Sequence, residues 1–196
     1  TVAYALGISH LDRLTRDGIR IAIDQFETAV AIEPDFARAW GQLAASQGML
    51  GLFGFAPPRE AIEKTRAASL KTIEADDQFY LGHSMLGWVK LVMGDFDGAC
   101  EKFEEALRLN PSAPYALHGD ADCLMLDGRM EESIARLREL VAVDPFFAIH
   151  SLPLPIHLYI AGRLDEAIIA VQDMHMRVPH YSMHWVLALI YWEQGR

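Results

Sequence analysis

An all-α solenoid of antiparallel helix pairs is the fold class the sequence predicts, and three observations predict it. Pro111, Pro145 and Pro179 stand 34 residues apart. Gly94, Gly128 and Gly162 keep the same interval, and each is followed by a polar residue and a new helical pattern. An amphipathic run leads into each proline: Ala99 to Leu109, Ser133 to Val143 and Ala167 to Arg177. A fixed period of this length, with two helical stretches in it, marks units that bury their apolar faces by stacking on neighbours.

The pairs follow in chain order. Val2 to Thr15 and Gly18 to Ile32 form the first, because Ala22, Phe26 and Ala29 set small, aromatic and small residues on one face ahead of Pro34. Phe36 to Met49 and Arg59 to Ile73 form the second. The 43 residues from Pro34 to Asp77 exceed the period by nine. That excess is an insertion near 51–58, where Gly51, Gly54, Pro57 and Pro58 interrupt helix. Asp77 to Met93 and Phe96 to Leu109 form the third pair, with Ala99, Phe103, Ala106 and Pro111 repeating the first unit's spacing. Ala113 to Leu126 with Met130 to Val143 makes the fourth, and Phe146 to Ala161 with Leu164 to Met176 the fifth. A further helix runs from His180 to Gln194. Pro153 and Pro155 fall inside the fifth unit's first helix and predict a bend there. Asp95, Asp127 and Asp165 lie in or near turns, where a carboxylate accepts the free amide protons of a new helix.

Composition narrows the function classes. The 196 residues are 52% hydrophobic with a formal charge of -10, enough apolar material for a core and the wrong sign for a phosphate backbone. Direct nucleic-acid binding is therefore excluded as an expectation. The apolar runs around Phe146 to Ile160 and Met183 to Trp192 are too short or interrupted to span a bilayer. Cys100 and Cys123 read as small core residues of a reducing, cytoplasmic setting. The start at Thr1 and the stop after Gly195-Arg196 suggest one solenoid domain, residues 1–196, cut from a longer protein.

Within the units, Leu86-Gly87 and Trp40 with Leu43-Ala44 precede the Ala, Phe, Ala and Pro positions. This set resembles the tetratricopeptide repeat family, whose period of 34 residues carries Trp, Leu-Gly, Tyr, Ala, Phe and Pro. The resemblance covers about five units and the first helix of a sixth, and implies a right-handed superhelix. His83 departs from it at the tryptophan position, Lys90 and Gln47 at the tyrosine, and Ser69 and Thr72 in the second unit. The wording AYALGISHLDRLTRDGIRIAIDQFETAVAIEPDFARAWGQLA is also similar to repeat domains attached to bacterial class III adenylate or guanylate cyclases. REAIEKTRAASLKTIEADD, GHSMLGWVKLVMGDFDGA, DGRMEESIARLRELVAVDP and AGRLDEAI add to that similarity, which extends to winged-helix transcriptional regulators. It implies a regulatory module without a catalytic residue.

Carrying the family's concave positions onto this chain gives Arg38, Leu81, Trp88, Tyr115, His118, Asp122, Ile149, Leu152, Ile156, Tyr159 and Met183. That face is apolar and aromatic with little charge, suited to a peptide, another domain's helix or a second copy of the chain. Phe53, Phe55 and Trp192 are the candidates for self-association into a homodimer. The histidines are weighed as metal ligands and set aside. His180 and His184 share a helix face with His175 nearby, but Tyr181, Ser182 and Met183 leave no glutamate in a zincin pattern. His150 and His157 are separated by the two prolines. The acidic pairs Asp76-Asp77, Glu104-Glu105 and Glu131-Glu132 belong to helix ends or polar faces. No phosphate loop or dinucleotide fingerprint occurs, so no cofactor and no enzymatic activity are expected of this chain.

Overall fold

The structure is a computed structural model and describes residues 1–11, 14–146, 148–177 and 183–193. Twelve helices and no strand occur among the described residues. They fall into two compact units, Thr1–Ala116 and Leu117–Arg196.

The first unit contains α1 (Val2–Leu11), α2 (Arg16–Ile32), α3 (Ala37–Leu52), α4 (Pro58–Ala75), α5 (Tyr80–Val92) and α6 (Phe96–Leu109). They pair in sequence as α1 with α2, α3 with α4 and α5 with α6. Gly7 and Gly87 explain how close the outer pairs come. A Cβ on Gly7 would lie 2.5 Å from the Phe26 ring, and one on Gly87 2.7 Å from the Phe103 ring. Both rings are fully buried, so each fills the space its glycine leaves. Thr15 caps α2 and Asp95 caps α6, each side chain accepting from a glycine amide, Gly18 and Gly98, at 3.1 Å. Helix takes up both edges of the stretch 51–58. α3 continues to Leu52, and Pro57 and Pro58 open α4, where a missing N–H costs no helical bond.

The second unit contains most of α7 (Pro114–Leu126), then α8 (Met130–Val143), α9 (Ala148–Ser151), α10 (Pro153–Ile160), α11 (Leu164–Arg177) and α12 (Met183–Glu193). The predicted bend is a break: α9 ends at Ser151 and α10 starts at Pro153. Ile134, Leu158, Ala167, Val171, Met174, Val186 and Ile190 form its core. Gly94, Gly128 and Gly162 hold φ of 82°, 77° and 73° in the turns that close the first helices, the region where a Cβ is strained.

One contact recurs at the start of three units. Trp40 Nε1 donates to the Pro34 carbonyl at 2.8 Å, His83 Nε2 lies 2.9 Å from the Asp77 carbonyl, and Ser151 Oγ donates to the Pro145 carbonyl at 3.4 Å. Each donor reaches six residues back. His83 thus replaces the expected tryptophan in function as well as in position.

Candidate functional site

In the first unit, Arg38 stands exposed near the start of α3. Its charge acts on Tyr4 and Tyr80, whose hydroxyls burial pushes above the ordinary tyrosine range, with Arg38 pulling them partly back. The Asn110 side chain adds to that downward pull on Tyr80. Tyr4 packs its ring on Phe26 and Phe36 at 5.8 and 5.0 Å. Leu81 is packed inside the unit, beside Gly41, where an added Cβ would come to 3.0 Å of it. Trp88 donates from Nε1 to the Tyr115 carbonyl at 3.1 Å and sets its ring edge-on to Phe103 at 5.5 Å. Trp88 and Tyr115 are both half-buried, so part of each remains open on the surface. Phe53 and Phe55 are half-buried against each other at 5.8 Å.

In the second unit, His118, Asp122 and His157 meet in a polar cluster. Ser133 on α8 donates to the Ala121 carbonyl at 2.7 Å, and its oxygen lies 2.7 Å from His157 Nδ1. His157 Nε2 is 3.1 Å from Asp122 Oδ1, while His118 Nε2 is 3.9 Å from Asp122 Oδ2. The two His157 ring nitrogens thus face the Ser133 hydroxyl on one side and the Asp122 carboxylate on the other. Burial drives the His118 imidazole down to about 4, with His150 and His157 adding to the effect and Asp122 opposing it. His150 Nδ1 is in turn 2.8 Å from Asp144 Oδ2.

Serine, histidine and carboxylate here follow the order of a hydrolytic triad, but Ser133 is fully buried and aims its proton at a backbone carbonyl. The chain of bonds ties α7, α8 and α10 together. Among the described residues, no three His, Cys, Asp or Glu side chains are grouped as a metal site. His180 lies outside the described residues, as do the side chains of His184 and Met183. His175 is exposed on α11. Leu152, Ile156 and Tyr159 pack partly buried on the core, Ile149 is half-buried, and Trp192 is 85% exposed.

The reading of Cys100 and Cys123 as reduced thiols is corrected: both are disulfide-bonded. The reducing compartment inferred from free thiols loses its support. Among the described residues, no helix is long and apolar enough to cross a membrane.

A family model, the tetratricopeptide repeat, matches residues 84–146. A thermophilic repeat protein of this kind, TTC0263 from Thermus thermophilus, superposes with a TM-score of 0.74 at 19% identity, covering 96% of both chains. The fold is that of the tetratricopeptide repeat. PilW, a type IV pilus biogenesis factor with the same arrangement, has a TM-score of 0.68 at 17% identity over 99% of this chain and 85% of its own. YrrB, a tetratricopeptide protein described as having an unusual peptide-binding site, gives 0.53 at 15% identity over 88% and 84%. No curated protein is similar enough in sequence to count as a match.

Proposed function

We propose that the chain is a non-catalytic scaffold that binds a protein or peptide segment and regulates a longer bacterial signalling protein such as an adenylate cyclase. One observation carries the binding reading. The polar groups with chemical potential are spent on holding helices together, while large apolar side chains stand in solvent: Phe146 at 72%, Met176 at 77% and Trp192 at 85%. The similarity of wording to cyclase-linked repeat domains supports the signalling context, and a winged-helix regulator is its variant. The peptide-binding site named for YrrB supports a peptide as the ligand class.

In the first unit the segment meets Arg38, Trp88 and Tyr115, with Leu81 backing the surface from inside. In the second it meets His118, Asp122, Ile149, Leu152, Ile156 and Tyr159. Binding acts by changing the pose of an attached domain, a coupling that needs no chemistry in the scaffold. Self-association is the second reading, favoured by the exposure of Trp192.

The test is light scattering of the purified chain over a concentration series, alone and with the other domains of its parent. A monomer that binds those domains, and loses binding on Arg38→Glu, is the expected result. A stable dimer indifferent to them and to Arg38→Glu makes self-association the function.

A further inference from the structure

Three turns join a first helix to a second through the same pair of residue types. α5 ends on Val92 and α6 starts on Phe96, α7 ends on Leu126 and α8 starts on Met130, and α10 ends on Ile160 and α11 starts on Leu164. Both members of the pair return at the 34-residue interval, and each is large and apolar every time. Met130 and Leu164 are partly buried against the second unit's core. Phe96 stays 51% exposed, close in sequence to Val92 at 65% and Met93 at 64%. Of the three corners, the one between α5 and α6 presents both of its helix ends to solvent.

The turn itself does not need these side chains. Gly94 donates to the Leu91 carbonyl at 3.1 Å and Asp95 to the Lys90 carbonyl at 2.9 Å, the two backbone bonds of a helix end that closes on glycine. A hydrophobic contact near the ends of such a motif often fastens it, and here the ion pair of Lys90 with Asp95 takes that place. Asp95 also caps α6. The side chains of Val92, Met93 and Phe96 take no part in either cap, and apolar groups gathered in water without a local task mark a contact surface. The charges beside them say what covers it. Lys90 is matched by Asp95 and Lys102 by Glu105. Asp97, Glu101 and Glu104 stand exposed along one stripe of α6, and among the described residues no cation pairs with them.

We propose that the corner of Val92, Met93 and Phe96 is a docking site for a basic amphipathic helix of a partner protein, whose apolar end seats on the corner while its Lys or Arg side chains meet Asp97, Glu101 and Glu104. Charge complementarity chooses this occupant. A second copy is the poorer one, since meeting corner to corner it sets carboxylate against carboxylate. An anionic bilayer or a nucleic acid meets the same repulsion. This rests on the scaffold reading and adds a partner's chemistry at residues that reading does not use. That reading is tested separately through Arg38, so failure at the corner leaves it standing.

The probes are three side-chain cross-linked helical peptides of equal length, labelled for fluorescence anisotropy against the intact chain. The first carries leucines at one end and lysines spaced to match the acidic stripe. The second has glutamate for each lysine, and the third alanine for each leucine. Each is made with the leucine positions at either end, so that both directions along α6 are tried. The lysine and leucine peptide is expected to bind at least about tenfold more tightly than either of the others, with an advantage over the glutamate peptide that shrinks as salt is raised. Asp97→Lys with Glu101→Lys reverses the preference between lysine and glutamate. Asp24→Lys with Glu27→Lys, an equal change in net charge on the exposed side of α2, leaves that preference in place. Met93→Ser with Phe96→Ser, with helix content checked by circular dichroism, weakens the first peptide about tenfold. A first peptide that fails to bind, that binds no better than either of the others, or that loses its preference in the α2 variant as well would overturn the proposal. So would a dimer of the chain that Met93→Ser with Phe96→Ser dissolves, because it assigns the corner to a second copy.

Discussion

Acid should loosen the second unit through His118, and the size of the effect follows from its surroundings. Desolvation is the main cause of the low His118 value, the His150 and His157 rings reinforce it, and Asp122 at 3.9 Å opposes it. The unfolded chain titrates His118 near the ordinary 6.5 and the folded chain near about 4. Between those values the unfolded state binds the extra proton. The stabilising contribution is therefore complete above pH 6.5 and is lost as the pH falls toward 4. The interval corresponds to about 3 kcal/mol, an upper figure because the side chain keeps 17% of its surface in water. Urea unfolding from pH 7.5 to 4.5, followed by circular dichroism, reads it against His118→Gln, which carries no titrating group. The wild-type midpoint should fall more steeply over this range than the variant's. Parallel curves for the two proteins would refute the reasoning and place the acid sensitivity elsewhere.

Gly87→Ala drives a Cβ to 2.7 Å of the buried Phe103 ring, and should cost about 1–3 kcal/mol in urea unfolding despite alanine's better helix propensity. His83→Phe removes the contact with the Asp77 carbonyl at a site 4% exposed, with an expected loss of about 1–2 kcal/mol by the same assay. Ser133→Ala leaves the Ala121 carbonyl and His157 without their shared hydroxyl, an expected loss of about 1–3 kcal/mol, read as a lowered thermal midpoint. Asp120→Asn weakens a part-buried pair with Arg136 at 2.7 Å and should lower stability by about 1 kcal/mol. Glu132→Gln, on an exposed pair with Arg129, should leave the thermal midpoint unchanged.

The helices were legible because the punctuation is strict. Gly94, Gly128 and Gly162, which set the 34-residue ruler, all hold positive φ, and α6 and α8 have the bounds read from the pattern. Thr15, which the pattern places at the end of the first helix, is instead the cap of α2. α3 outruns its predicted end by three residues, since Gly51 packs on Ala61 and keeps the last turn helical. The polar cluster of the second unit was not legible. Its members lie on α7, α8 and α10, far apart in sequence, and Pro153 and Pro155 hid the spacing of His157 from its partners. Ser133 held the one available signal: it occupies the place taken by Ala99 and Ala167 in neighbouring units, and a hydroxyl at a buried small site needs acceptors.

The bond reaching six residues back at the start of three units has a mechanical meaning. It is a clasp that fastens the end of one linker to the helix after it, so a force drawn along the chain must open the clasp before it can unwind the first turn. The clasps are not of equal strength. Those of Trp40 and His83 close at 2.8 and 2.9 Å, whereas the Ser151 hydroxyl reaches its carbonyl at 3.4 Å, just ahead of the break between α9 and α10. Of the three, the clasp at Ser151 is the one that yields first under load.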